Sequence, residues 1–349
     1  MHFAPAPSAF LCIGLAQGIT VGILQSIVLI QWQAYLRPTV YQVPRGFTIP
    51  ANFGIVIFGF VFQLVFMWDA VRLRSTAQAI LACVLNAGFV PLALFQRKEI
   101  EEAVKSFRGS TDVNGDSLVN LDMDIWPLIG KILLAIPWVV GAFTLFLVVS
   151  VWYLKQYFSW QSYRNVSADA KLRRIRIIHQ IFAMLAKMDI YFIICFEAIY
   201  GFAVLGARGT EFIISMALLG VAIVVIGLSI MFSKSENKIG MGLSIAIYLA
   251  GSFYLVYMVV IAYTDKKRTS FYAASIKSFT AFGCMAILSI FTTTVFAIIC
   301  FRNFWGGLKE HLELHEEGWN QRTSVKDFEL DHNVNFQYTN VPKALDLDS

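Results

Sequence analysis

Apolar residues occur in long blocks separated by short polar or charged stretches, and the blocks are too long for buried strands. Those at 10–30, 51–68, 76–95, 127–151, 179–206, 211–232, 240–263 and 278–301 match the roughly 20 residues that an α-helix needs to cross a bilayer. The pattern predicts an all-α, polytopic transmembrane helical bundle of eight spans, or seven if the first or a short block lies differently. Spans five and six are separated only by Gly-Ala-Arg-Gly-Thr, which requires a tight return. The first polar connection holds Pro38, Pro44 and Pro50 and is expected to be irregular outside the hydrocarbon. Residues 96–126 form the first long hydrophilic segment. The domain division is residues 1–305, helical and membrane-embedded, and residues 306–349, a tail. Phe301, Phe304, Trp305, Leu308 and Leu312 have helical spacing, which predicts a short amphipathic helix on the membrane surface before a flexible end.

Composition supports the membrane reading. The chain is 57% hydrophobic and 15% charged, with a mean hydropathy of +0.64, whereas globular proteins are about 25% charged. A single soluble core does not require repeated blocks of this length. Residues 1–9 lack the basic start of a signal peptide, so the first block is predicted to be a membrane helix rather than a cleaved leader. Cys12, Cys83, Cys195, Cys284 and Cys300 all fall within predicted spans and form no CxxC pair; they read as packing residues. Gly14, Gly18 and Gly22 place a smooth stripe on span one, suited to close helix contact. Pro127 suits a helix start, and Pro137 is expected to kink span four.

Charge is most biased between Lys155 and Arg176, where six Lys or Arg residues meet one acid, Asp169. Basic connections stay on the cytosolic side, so this one is placed in the cytosol, and an eight-span chain then has both termini there. The opposite side also carries Lys266, Lys267, Arg268 and Lys277, which weakens the contrast. Trp152, Lys155, Trp160, Tyr163, Arg164, Asp169, Lys171, Arg173, Arg174 and Arg176 form a candidate cytosolic loop that binds lipid or a partner. Its aromatic residues would sit at the interface and its cations would meet phosphate headgroups or an acidic protein. Nucleic acid is excluded as a partner because the flanking spans tie this patch to the bilayer. Asn165-Val166-Ser167 is an N-glycosylation sequon that a cytosolic loop leaves unmodified.

Charge also lies inside the spans. Lys187, Asp189 and Glu197 fall within span five, Asp69 follows the interface residue Trp68, and Asn86 lies in span three. A Lys or Asp at the centre of an inserting helix costs about 2.5–3.5 kcal/mol, so these groups should face the bundle or a wet cavity. Lys187 has Asp69 or Asp189 as a partner, or it snorkels while Asp189 caps the apolar core. In a wet cavity, Asp189 and Glu197 would relay protons or bind a cation. Gln17, Gln25, Gln63 and Gln156 are expected to serve packing and hydrogen bonding.

No catalytic constellation appears: there is no HExxH, GxSxG or P-loop, and no cofactor is implied. His311 and His315 have i,i+4 spacing but read as a solvated helix face rather than a metal site. Asp112, Asn114 and Asp116 alternate as in a calcium loop, yet Ser117 and Met123 stand where glycine and glutamate are needed, so an exposed turn is expected.

The segment with Trp160, Tyr163, Ala168-Asp169, Arg173-Arg174 and Lys187/Asp189 resembles the fungal multi-pass proteins described as an uncharacterised Golgi-apparatus membrane protein family. "FQLVFMWDAVRLRSTAQ", around Trp68-Asp69, resembles a second family segment, and the likeness extends over most of residues 1–305. It implies a Golgi membrane location and supplies no activity. Arg72-Leu73-Arg74-Ser75 departs from a more polar family turn, and Glu197 stands where an uncharged amide is usual, which weakens a family-wide proton relay through Glu197. The expected function is non-enzymatic, with the basic cytosolic segment engaging lipids or a protein partner in trafficking or signalling. A small-solute or ion transporter and a receptor-like helical sensor are the alternatives.

Overall fold

The computed structural model describes residues 5–36, 48–109, 111, 117–120, 124–163, 170–204, 210–264 and 276–304. These form eight long helices: α1 (Pro5–Tyr35), α2 (Thr48–Arg72), α3 (Thr76–Arg108), α4 (Trp126–Tyr163), α5 (Ala170–Ala198), α6 (Thr210–Lys234), α7 (Lys238–Thr264) and α8 (Ile276–Arg302). A π-helical turn, Ile199–Val204, extends α5. Among the described residues, the only extended pairing is two isolated bridges, Leu36 with Val119 and Thr111 with Ser117. Every helix except α5 is long and apolar enough to cross a membrane. α5 runs through the bundle beside α2, α6 and α8. The protein is therefore a multi-pass helical membrane protein.

The chain folds as two packed groups of four. α1 contacts α2 and α4, and α3 packs on α4. In the second group, α5 packs on α6 and α8, and α7 packs on α6 and α8. Tyr191 of α5 joins the groups: its ring stacks on Phe62 at 4.9 Å and on Phe58 at 5.9 Å, and meets Phe89 edge-on at 6.4 Å. Gly59 makes this approach feasible, since a Cβ there would lie 3.1 Å from the Tyr191 hydroxyl and 3.2 Å from Phe89.

Helix ends differ from the sequence expectation in three places, each for a local reason. α3 continues thirteen residues past the predicted end at 95. Gln96, Glu99, Ile100, Ala103, Val104 and Phe107 are buried along one face, and this 3.6-residue period outweighs the charges between them. Phe107 packs edge-on against the buried Trp32 of α1 at 5.6 Å. α4 runs to Tyr163 and α5 begins at Ala170, so most of the expected basic loop is helix. No Gly or Pro interrupts residues 142–200, and nothing there stops the helices early. α4 also passes unbroken through Pro137. The calcium-loop-like residues 112–116, Gly-rich residues 206–209 and the tail beyond Phe304, with its expected amphipathic helix, lie outside the described residues.

Two tight connections lie at the same end of the bundle, 73–75 between α2 and α3 and 235–237 between α6 and α7. Arg74 and Glu236 adopt φ values of 51° and 53° there. Ser75 caps α3, its Oγ accepting from the Gln78 N–H at 3.3 Å. The α4–α5 connection lies at this end too, called the basic end below.

Candidate functional site: polar nodes inside the bundle

Among the described residues, polar side chains within the bundle gather in separate nodes. At the basic end, the Lys187 ammonium lies 2.5 Å from Asp69 Oδ2, which also accepts from Gln78 Nε2 at 2.7 Å. Gln78 donates to the Phe66 carbonyl as well. Asp69 comes from the last turn of α2, Gln78 from the first turn of α3 and Lys187 from α5, so the node ties three helix segments together. The pair is partly exposed, 30% for Lys187 and 22% for Asp69. The sequence offered Asp69 and Asp189 as partners, and the fold selects Asp69. Beside it, the Arg72 guanidinium lies 5.6 Å over the Trp68 ring.

Asp189 is two residues from Lys187 and points elsewhere. It is 0% exposed and accepts from the Ser289 hydroxyl of α8. Its Oδ2 has no hydrogen-bond partner among the described residues. Glu197, 4% exposed, accepts from Ser215 of α6. One face of α5 thus serves α6 at both ends, because His179 Nδ1 lies 2.9 Å from Ser233 Oγ. Ser229 of α6 and Tyr248 of α7 are hydrogen-bonded between these levels. Among the described residues neither carboxyl meets a cation, and hydroxyl groups offset the burial.

The first group of helices uses neutral amides. Gln17 Nε2 donates to Asn86 Oδ1 at 2.7 Å, and Asn86 Nδ2 donates to Thr144 at 2.8 Å, linking α1, α3 and α4. Gln25 and Gln96 exchange reciprocal bonds at 3.0 and 3.2 Å. Gln17 and Gln25 therefore join helices, whereas Gln63 reaches only Met67 in its own helix and Gln156 is exposed.

Sequence reasoning missed Glu99, which it placed in a hydrophilic connection. It is 2% exposed and accepts from the Ser278 backbone N–H at 2.8 Å and Ser278 Oγ at 2.7 Å, with Asn52 Nδ2 at 3.5 Å. A carboxylate of α3 thus caps the first turn of α8, satisfying a donor that a helix start leaves free. Glu102 pairs with the adjacent Lys277. The burial period of α3 was the available signal. The partner, 179 residues away, left none.

Of the expected lipid- or partner-binding loop, Trp152, Lys155, Trp160 and Tyr163 belong to α4, and Lys171, Arg173, Arg174 and Arg176 to α5. This corrects the loop assignment to two helix ends. Trp152 is 64% exposed, and Lys155 and Arg174 are exposed. Arg164 and Asp169 lie outside the described residues, as do the side chains of Trp160, Tyr163, Lys171, Arg173 and Arg176. No group of three or more His, Cys, Asp or Glu among the described residues is placed to hold a metal ion.

The chain is 23% identical over 312 residues to the UPF0658 Golgi apparatus membrane protein of Schizosaccharomyces pombe, covering 84% of this chain and 88% of that protein. No family model matches, and no solved structure matches. The similarity bears out the resemblance to a fungal Golgi-apparatus membrane protein family and supports a Golgi membrane setting.

Proposed function

We propose that this is a non-enzymatic multi-pass Golgi membrane protein with both termini in the cytosol. Its basic end engages anionic lipid headgroups or a cytosolic protein partner in trafficking or signalling. The observation that carries the reading is the set of exposed cations at the basic end that lie beyond its internal Lys187–Asp69 pair. At the opposite end, cations meet carboxylates: Lys105 with Glu101 at 2.7 Å, Arg108 with Asp124 at 3.8 Å, and Lys277 with Glu102. At the basic end, Arg74, Lys155 and Arg174 are exposed and form no ion pair among the described residues. Exposed Trp152 and Tyr153 lie on the same stretch of α4 as Lys155. Aromatic side chains at the interface with cations beyond them suit an anionic leaflet.

The test places full-length protein in nanodiscs with and without anionic lipid and counts retained lipids by native mass spectrometry. Each cation near the surface contributes about 1 kcal/mol, so Arg173→Ala/Arg174→Ala should weaken anionic-lipid retention about 30-fold. Unchanged retention overturns the lipid role. Orientation is read from Asn165→Cys and Ser110→Cys with a membrane-impermeant thiol reagent, before and after permeabilisation. A sugar on native Asn165 overturns it.

A second reading, cation or proton transport, is favoured by Asp189. Its Oδ2 is buried without a partner among the described residues, and an ionisable group within a membrane helix marks a functional site by default. Proton and ion flux through reconstituted protein should fall in Asp189→Asn or Glu197→Gln. Flux that is absent or insensitive in both removes this reading.

A further inference from the structure

A groove of about 540 Å³ opens between α3 and α8, with α5 as its floor. Small-molecule sites typically measure about 300–1,000 Å³. The groove runs from Leu81 to Phe95 on α3 and from Ala281 to Thr292 on α8. At 1.5 Å per residue its α3 wall is about 21 Å long. Two features of α3 keep it open. Gly88 has no side chain, and a Cβ there would meet nothing within 4 Å. Pro91 follows three residues later on the same wall. Beyond Phe95, Glu99 and Ser278 clasp the two helices together.

We propose that this groove holds one acyl chain of a bilayer phospholipid as an ordered ligand. The groove lies within segments of α3 and α8 long and apolar enough to span the membrane, so its mouth faces hydrocarbon. It is continuous with the lipid-contacting surface of the bundle: the rim residues Val84 and Leu288 are each 61% exposed and Met285 is 46% exposed. Phe89, Phe192 and Phe282 line the interior, and no cation lines it to hold a headgroup. The hydroxyl donors at its edge are already committed: Thr292 donates to the Leu288 carbonyl at 2.8 Å and Ser289 to Asp189. Tyr191, also in the lining, is hydrogen-bonded to Cys195, and a slot whose hydroxyls are already paired suits a flexible hydrocarbon chain, which gains dispersion contacts along its whole length. A chain seated over Ser289 also keeps water from the Asp189 carboxyl.

The test uses full-length protein in nanodiscs containing a phospholipid with a diazirine on one acyl chain. Adducts are mapped by mass spectrometry after illumination. Adducts on 81–95 and 281–292 should exceed those on the outward face of α7, at Phe253 and Tyr257, by at least about fivefold, equivalent to about 1 kcal/mol. Gly88→Phe fills the groove from one wall and Met285→Trp from the other. Each should remove that excess while leaving α7 labelling unchanged, with size-exclusion and melting profiles confirming a folded bundle. Even labelling around the bundle overturns the proposal, as does an excess that survives both folded variants. Displacement of the probe by unlabelled sterol, with phospholipid ineffective, also overturns it and identifies a ring-bodied occupant.

Discussion

Replacing Glu99 by leucine leaves the Ser278 N–H, the Ser278 hydroxyl and the Asn52 amide facing an apolar side chain. Glu99 is 2% exposed, so water does not readily replace the lost acceptor. An unpaired buried donor costs about 1–3 kcal/mol, and loss of a cap costs about 0.5–2 kcal/mol. These terms overlap at the Ser278 N–H, and the Ser278 hydroxyl and Asn52 amide lose the same acceptor, so the expected cost of Glu99→Leu is about 3–5 kcal/mol. Glu99→Gln keeps an oxygen at the helix start and loses the charge, worth about 0.3–1 kcal/mol against the helix dipole and up to about 2 when partly buried. The assay is the thermal midpoint of full-length protein in one detergent. Midpoints of domains of 150–250 residues move about 2–4 °C per kcal/mol, and a longer chain sits at the low end. Glu99→Leu should therefore melt about 6–10 °C below wild type and Glu99→Gln about 1–4 °C below. Ser278→Ala should cost less in the Glu99→Leu background than in wild type, because its hydroxyl has already lost its acceptor. Equal midpoints for Glu99→Leu and Glu99→Gln refute the trans-cap, as does full additivity with Ser278→Ala.

Lys187→Met and Asp69→Asn should each lower the midpoint, and the double variant should cost less than their sum. The coupling should be about 1 kcal/mol, near the surface-pair range because both groups are partly exposed; full additivity would show that the pair makes no net contribution. Gly283→Ala should destabilise by about 1–3 kcal/mol, since its Cβ would lie 2.7 Å from Val259 Cγ2 and 3.2 Å from Phe196. Gly18→Ala and Gly22→Ala, with nearest contacts of 3.7 Å, should change the melting midpoint little; the reverse ranking would refute the packing. Asp189→Asn should leave the midpoint unchanged or raised while Asp189→Leu lowers it. A loss in Asp189→Asn as large as in Asp189→Leu would assign the carboxyl a purely structural role.

The eight helices were legible because hydrophobic blocks of membrane length have few other uses. Their ends were less legible, since hydropathy weighs charge and overlooks period. Arg97, Lys98, Glu101 and Glu102 hid an α3 extension whose buried positions recur with helical spacing. The Lys187–Asp69 pair was visible as one of two choices because both residues were predicted near the same end. Selecting Asp69 required the packing of α5 against α2. Ser289 and Ser215, partners of the buried carboxyls, look like ordinary span residues in sequence. The same holds for glycine: of the regular stripe, Gly14 makes the close contact expected, with Met67 at 2.8 Å, while Gly18 and Gly22 do not, and the unmarked Gly283 and Gly240 are as tight, with Val259 at 2.7 Å and Phe232 at 2.6 Å.

The two groups of helices solve one problem by different chemistry. Gln17, Asn86 and Thr144, and the Gln25–Gln96 pair, join spans with groups that both donate and accept, so each link forms without charge, although Gln17 Oε1 has no partner among the described residues. In the second group Asp189 meets the hydroxyls of Ser289 and Thr293, and Glu197 that of Ser215. If joining helices were the only requirement, an amide would meet it at lower cost, as it does in the first group. A carboxyl retained among hydroxyls, with Asp189 Oδ2 unpaired among the described residues, therefore suggests a use other than packing. Ser289, the donor to Asp189, lines the groove. That places a buried carboxyl with an unpaired oxygen among the described residues one hydrogen bond from the groove. Access of water or cations to Asp189 is thus physically tied to what fills the groove, and the labelling and flux measurements bear on one shared residue, Ser289.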